Sequence, residues 1–192
     1  MKILLLILIL TFSFQSLTKA DDIKDFEIEG MSIGDSLLDF VSINEIKENI
    51  IPYFKSKRKY YVVGIADNLK NYNQVEIYLK SNDKNYEIKS ILGGVFIDNL
   101  DKCFSKKKEI VAELDSMFVG IEKMSDEKKH EGDASGNSKQ YIDQYNINFP
   151  NHIRVECTEF SDQMLSTDLA RNSLNVIAMT EEIMNWIGDN YK

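Results

Sequence analysis

Tyr141-Ile142-Asp143-Gln144-Tyr145-Asn146-Ile147-Asn148-Phe149-Pro150-Asn151-His152-Ile153-Arg154-Val155-Glu156-Cys157 is the stretch on which the fold turns. Tyr141, Tyr145, Ile147 and Phe149 share one parity, Pro150-Asn151 interrupts, and Ile153, Val155 and Cys157 resume the alternation. A period of two on both sides of a turn dipeptide is the pattern of an antiparallel hairpin with one buried face. Downstream, the spacing predicts a long helix from a cap at Ser161 or Asp162 to about Gly188. Its buried stripe would hold Leu165, Leu169, Val176, Ile177, Thr180, Ile183, Met184 and Ile187, with Gly188 as the stop. Upstream, residues 125–139 mix both charge signs with Gly132, Ser135, Gly136 and Ser138 and carry almost nothing apolar, which predicts a mobile surface loop.

Before that loop, Leu100, Cys103, Phe104, Ile110, Val111, Leu114, Met117, Phe118 and Ile121 recur at helical spacing, with Asp98, Asn99 or Asp101 available as the cap. Three strand patterns precede this helix. Tyr60 to Ala66 is aromatic and β-branched, Val75, Ile77 and Leu79 alternate with polar neighbours, and Tyr86 to Ile97 returns past a bend at Gly93-Gly94. Further upstream, Ser32-Ile33-Gly34-Asp35 and Ser42-Ile43-Asn44-Glu45 both read as capping boxes. They predict two short helices, the second stopped by Pro52. Together these elements predict an α+β fold: a mainly antiparallel sheet of about five strands, two long helices on one face, and two short N-terminal helices. One domain is expected over residues 21–192.

The first twenty residues carry an address. Lys2 precedes an unbroken apolar run from Ile3 to Leu10, and Thr18-Lys19-Ala20 ends in a small residue before Asp21. That is the arrangement of a secretory signal peptide over residues 1–20, too short for a permanent span. Its removal leaves 21 basic against 31 acidic residues, a net charge of −10. Such a balance argues against nucleic acid and against anionic membrane surfaces. A periplasmic or secreted location is expected, with an envelope protein or a small ligand as partner and no permanent membrane span after cleavage.

Cys103 and Cys157 are the two cysteines. In an exported chain they could form one disulfide, which would close a loop of about 54 residues and stabilise by on the order of 4 kcal/mol. Two buried free thiols are the second reading. The third is a reactive thiol activated by Lys102, Lys106, Lys107 and Lys108 around Cys103.

Gly34-Asp35-Ser36-Leu37 spells the signature of the GDSL esterases and lipases, which would make Ser36 a nucleophile. That family takes its base from an Asp-x-x-His, and neither His130 nor His152 is preceded in that way. A serine without a positioned base is a weak nucleophile. No catalytic residue is therefore assigned. Gly30-Met31-Ser32 followed by Asp35 and a short helix resembles the start of the outer-membrane assembly lipoprotein family that includes BamE. That resemblance implies helix, helix and three antiparallel strands over Ser32 to Ile97, and a non-catalytic envelope role. Ser36 stands where that family usually has an aliphatic residue. In style and ordering the chain also resembles small exported proteins of AT-rich marine alphaproteobacteria, which brings no activity with it.

No metal or cofactor is expected. His130-Glu131-x-Asp133 lacks the further converging ligands that zinc needs, and residues 125–137 lack the spacing of a calcium loop. Tyr60, Tyr72 and Tyr78 fall near the polar face of the first strands, where they would either pair across strands or offer a binding surface. Trp186 reads as core or rim packing. The expected function is thus a non-catalytic binding or accessory protein of the envelope, with a Ser36 esterase and a secreted inhibitor as alternatives.

Overall fold

The computed structural model describes Ala20 and residues 22–52, 59–167 and 170–190. The signal-peptide reading of residues 1–20 lies outside the described residues, Ala20 excepted, and so does Leu169. The chain runs β1 (Glu27–Ile28), β2 (Met31–Ser32), α1 (Ile43–Glu48), β3 (Ile50–Ile51), β4 (Tyr60–Ile65), β5 (Gln74–Lys80), β6 (Ile88–Phe96) and α2 (Leu100–Met117). It continues with β7 (Lys123–Lys129), β8 (Lys139–Asn146), β9 (His152–Glu159), α3 (Asp162–Leu165), β10 (Ser173–Met179) and α4 (Glu181–Asn190). Short 3-10 turns at Ile23–Asp25 and Leu37–Asp39 flank the β1–β2 pair.

The architecture is α+β, and its main sheet has eight strands, not about five, in the order β3-β4-β5-β6-β10-β9-β8-β7. Every pairing in it is antiparallel. Three elements account for the difference. Residues 173–179, expected inside a long helix, form β10 at the sheet's centre, paired on both sides with β6 and β9. Residues 123–129, assigned largely to the loop, form the edge strand β7. The two-residue β3 pairs with β4 at the other edge.

The β8–β9 hairpin folds as its pattern requires, with Tyr145 opposite Ile153 and Asn146 opposite His152. Ile147 N–H closes the turn on Asn151 C=O at 2.9 Å. Phe149 departs from the alternation: it lies at the tip of the turn and is 76% exposed.

The pleat divides the sheet's side chains into two sets. Val63, Val75, Ile77, Leu79, Ile91, Val155, Cys157, Leu174 and Val176 point to one side. There they pack with Cys103 and Leu114 of α2 and with Ile28, Met31, Leu37 and Ile46 of the N-terminal segment. Tyr60, Tyr78 and Met179 point to the other side and pack against Ile183, Trp186 and Ile187 of α4. The two helices therefore cover opposite faces, not one face as expected. Ten residues of α4 replace the expected helix of nearly thirty, because β10 consumes the middle of that stretch.

Local signals explain the helix starts. Asn99 caps α2, its side chain accepting from Lys102 N–H at 3.0 Å. Ser42 and Glu45 form the expected reciprocal box on α1, at 3.3 and 2.8 Å. The earlier box forms only in half. Asp35 accepts from Ser32 N–H at 2.8 Å, but the Ser32 hydroxyl donates to Phe26 C=O and Ser32 itself stays in β2. Gly93 is not a bend. It lies within β6, paired with Val75 and Val176, and the Tyr72 ring rests on it, so that a Cβ there would come within 2.5 Å of that ring.

Candidate binding site

The end of β4, the 66–70 connection, the β1–β2 turn and α1 surround a cleft of about 340 Å³. That is the lower end of the range that small-molecule sites occupy, about 300–1,000 Å³. Met31 and Val63, both buried, and the half-buried Ile65 and Leu69 back it, while polar atoms supply the larger part of its exposed lining. Its rim holds Phe40, 42% exposed, with Glu45, Asp67, Asn68 and Lys70.

Glu29 fixes the shape of this cleft. Its carboxylate accepts backbone N–H groups from Lys70 (3.0 Å), Asn71 (2.6 Å) and Tyr72 (3.3 Å), tying the 66–72 segment to the β1–β2 turn. Burial alone would raise its pKa; the three donors and the nearby Lys70 charge outweigh that and hold it below the usual range. Glu29 and Asn68 both line the cleft in the left-handed region, at φ 54° and 60°. Glu45 also stays below the usual carboxylate range, through its bonds with Ser42. Glu29 and Glu45 are thus ionised at neutral pH.

The structure brings Cys103 and Cys157 together, with sulfurs 2.00 Å and Cα atoms 6.0 Å apart. Cys103 is on the first turn of α2 and Cys157 in β9, 3% and 0% exposed in the core. Of the lysines around Cys103, Lys107 is drawn away to Asp143, 2.8 Å from its carboxylate.

Ser36 and the histidines stay apart. The Ser36 hydroxyl donates to Asn85 C=O at 2.7 Å and accepts from Leu38 N–H, which makes it the cap of the Leu37–Asp39 turn. His130 meets Phe160 at a tilt, the ring centroids 4.9 Å apart and the planes 59° from parallel. His152 is buried in β9 with its Nδ1 facing Pro150 C=O, and burial pushes its pKa down.

Residues 130–138 form an ordered turn built on Asp133, whose carboxylate accepts from Ser135 and from both the hydroxyl and the N–H of Ser138. These bonds hold it far below the usual range, the Ser138 hydroxyl contributing most. Among the described residues, no group of three or more His, Cys, Asp or Glu side chains is placed to hold a metal ion.

The tyrosines do not share a surface. Tyr60 is 1% exposed and meets Trp186 edge-on at 5.2 Å; its pKa is pushed up to about 12, chiefly by burial. Tyr78 packs into the same cluster, whereas Tyr72 lies on the α2 side over Gly93. On the α4 side, beyond that helix, the sheet is polar. Glu156 is 4% exposed and accepts from Gln140 and Asn175. Arg154 Nε lies 3.1 Å from its other oxygen, close enough for an ion pair but off the axis of a hydrogen bond.

The cleft has no counterpart in the sequence reading. Glu29 looks like one polar residue of an extended lead-in, and its partners lie some forty residues away. The Glu29-Gly30 pair was the available signal, since a turn there would invite a positive φ. No family model matches the chain, and neither a curated protein nor a solved structure does.

Proposed function

We propose that this chain is an exported, non-catalytic binding protein of the periplasm or cell envelope that holds a small ligand in the cleft beside α1. The cleft carries the reading: it is a concavity of small-molecule size in which a few apolar side chains meet polar groups brought together from separate parts of the chain. Export is supported by the leader pattern of residues 1–20 and by two cysteines at bonding distance, which suits an oxidising compartment. The N-terminal resemblance to the BamE-like family points to the same address.

The test is expression of the full chain in a Gram-negative host, fractionation, intact mass without reductant, and a fragment screen by NMR. The expected product begins at Asp21, is two hydrogens lighter than its reduced form, and shows fragment-induced shifts at Val63, Ile65 and Leu69. Full-length protein with Met1 in the cytosol would overturn export. Fragment shifts confined to other parts of the surface would overturn the cleft.

A further inference from the structure

We infer that the polar part of the α4-side face is a second binding site, centred on Glu156, for a saccharide whose neighbouring ring hydroxyls are read by Glu156 and Arg154. It lies across the sheet from Met31 and Val63 of the cleft beside α1 and does not depend on that cleft. Side chains from β5, β8, β9 and β10 meet here. Glu156 in β9 stands opposite Asn175 in β10, and Thr158 stands opposite Gln140 in β8. Gln140 Nε2 and Asn175 Nδ2 converge from the two neighbouring strands on one Glu156 oxygen, at 3.3 and 3.4 Å. Arg154, two residues back along β9, puts its Nε 3.1 Å from the other oxygen. From β5, Gln74 reaches toward Asn175 over Gly94, both side chains standing within 3.3 Å of the point a Gly94 Cβ would occupy.

Glu156 and Thr158 are 4% and 3% exposed. Thr158 Oγ1 meets no hydrogen-bond partner among the described residues. Neither do Arg154 Nε and the second Glu156 oxygen, which face each other off the axis of a hydrogen bond. Folded interiors leave few polar atoms in that condition, because each has given up its hydration. Here three of them follow one another along one face of β9, about 7 Å per step. The set is one acceptor, one donor and one hydroxyl that does both. Sugar hydroxyls also donate and accept, and a ring carries them on successive carbons. One hydroxyl can donate to Glu156 while its neighbour accepts from Arg154 and a third reaches Thr158. Glu156 and Arg154 cancel in charge. An anion would meet the carboxylate and a cation the guanidinium, whereas a neutral polyol meets neither repulsion. Arg154, Gln140, Asn175 and Gln74 are half-buried, so they are the groups a ligand reaches first. The long bonds from Gln140 and Asn175 to Glu156 are the ones it would exchange.

The experiment titrates the exported chain with the methyl glycosides of glucose, mannose and galactose. Cyclohexylmethanol serves as a ring of similar size with one hydroxyl. The side-chain amide signals of Gln140 and Asn175 and the backbone amides of Glu156 and Thr158 are followed by NMR. At least one glycoside is expected to shift these signals saturably, and cyclohexylmethanol to leave them in place. Thr158→Val keeps the shape and removes a hydroxyl that has no partner among the described residues. Its unfolding midpoint should hold or rise while glycoside binding weakens about fivefold. Arg154→Lys, which loses the planar fork at a half-buried position, should weaken binding at least as much. No glycoside response at these signals would overturn the site and leave ordered water as the partner of these atoms. An equal response to cyclohexylmethanol, or glycoside binding unchanged in both variants, would overturn recognition through the hydroxyls. Shifts confined to Val63, Ile65 and Leu69 would put the sugar in the cleft beside α1 and overturn this second site while supporting the first.

Discussion

Glu29 shows how much one side chain can organise. A carboxylate that collects three backbone N–H groups replaces water for all of them at once, and it does so from a residue held at φ 54°. Glu29→Ala should lower stability by about 1–2 kcal/mol in urea unfolding, the site being half-exposed. Glu29→Gly loses the same acceptor but relaxes the backbone, and should recover about 1 kcal/mol of that loss. Equal stability of the two variants would mean that φ carries no cost here. His152 makes a different prediction. Burial, aided by Arg154, depresses its pKa, so the folded state favours the neutral ring more than the unfolded chain does. The resulting stability is complete above the unfolded value of about 6.5 and is lost as pH falls through the folded value. The lowered carboxylates, Asp133 among them, act in the same direction, but only below about pH 4. Unfolding free energies of His152→Gln should therefore change less than those of the wild type between about pH 7 and pH 5. Parallel slopes would remove the histidine from the account.

At the scale of elements, the sheet was legible where one face of a strand is apolar and the other polar, even where both are covered. The β8–β9 hairpin, β5 and the capped α2 followed from alternation, turn chemistry and helical spacing. β10 was not legible, because Leu174, Val176, Ile177, Ala178 and Met179 crowd seven residues and serve both faces. A strand whose two faces are both apolar loses its period of two and imitates a buried helix. The decision comes from outside the segment, from β6 and β9, which supply hydrogen-bonding partners along both edges. β7 failed for the opposite reason. Lys123-Met124-Ser125-Asp126-Glu127-Lys128-Lys129 has no inward face to betray it, and its exposed charges are those that guard an edge against another chain. Its order depends on β8 and on side-chain pairs such as Lys139 with Glu127, 3.0 Å apart. The cleft escaped notice because its parts meet only after the β1–β2 turn and the 66–72 segment are joined by Glu29. Hydrogen exchange should separate the two strands, with Val176 and Ile177 exchanging only on global unfolding and the β7 amides that face away from β8 exchanging fast. Comparable protection in β7 and β10 would contradict the strand order.

At the scale of the whole molecule, a helix and a strand from distant parts of the chain meet at one point. α2 lies across β9 and β10, and Cys103 meets Cys157 on the β9 side of that contact, with a sequence separation of 54 residues. The intervening chain contains β7, β8 and the turn built on Asp133, so a covalent closure there restrains the half of the sheet with the least apolar edge. Closing a loop of that length in the unfolded chain is worth about 4 kcal/mol when the native geometry adds no strain. The Cys103→Ala/Cys157→Ala double variant should therefore unfold at lower denaturant with an unchanged native spectrum, and reductant should lower the wild type toward the same midpoint. The half containing β7 and β8 should lose its exchange protection first in the variant, while β4, β5 and β6 keep theirs. A reductant-insensitive midpoint, together with two thiols titrating in the unfolded wild-type protein, would show that the two sulfurs pack without bonding. The hydrophobic contact between α2 and the sheet would then have to hold that half of the fold alone.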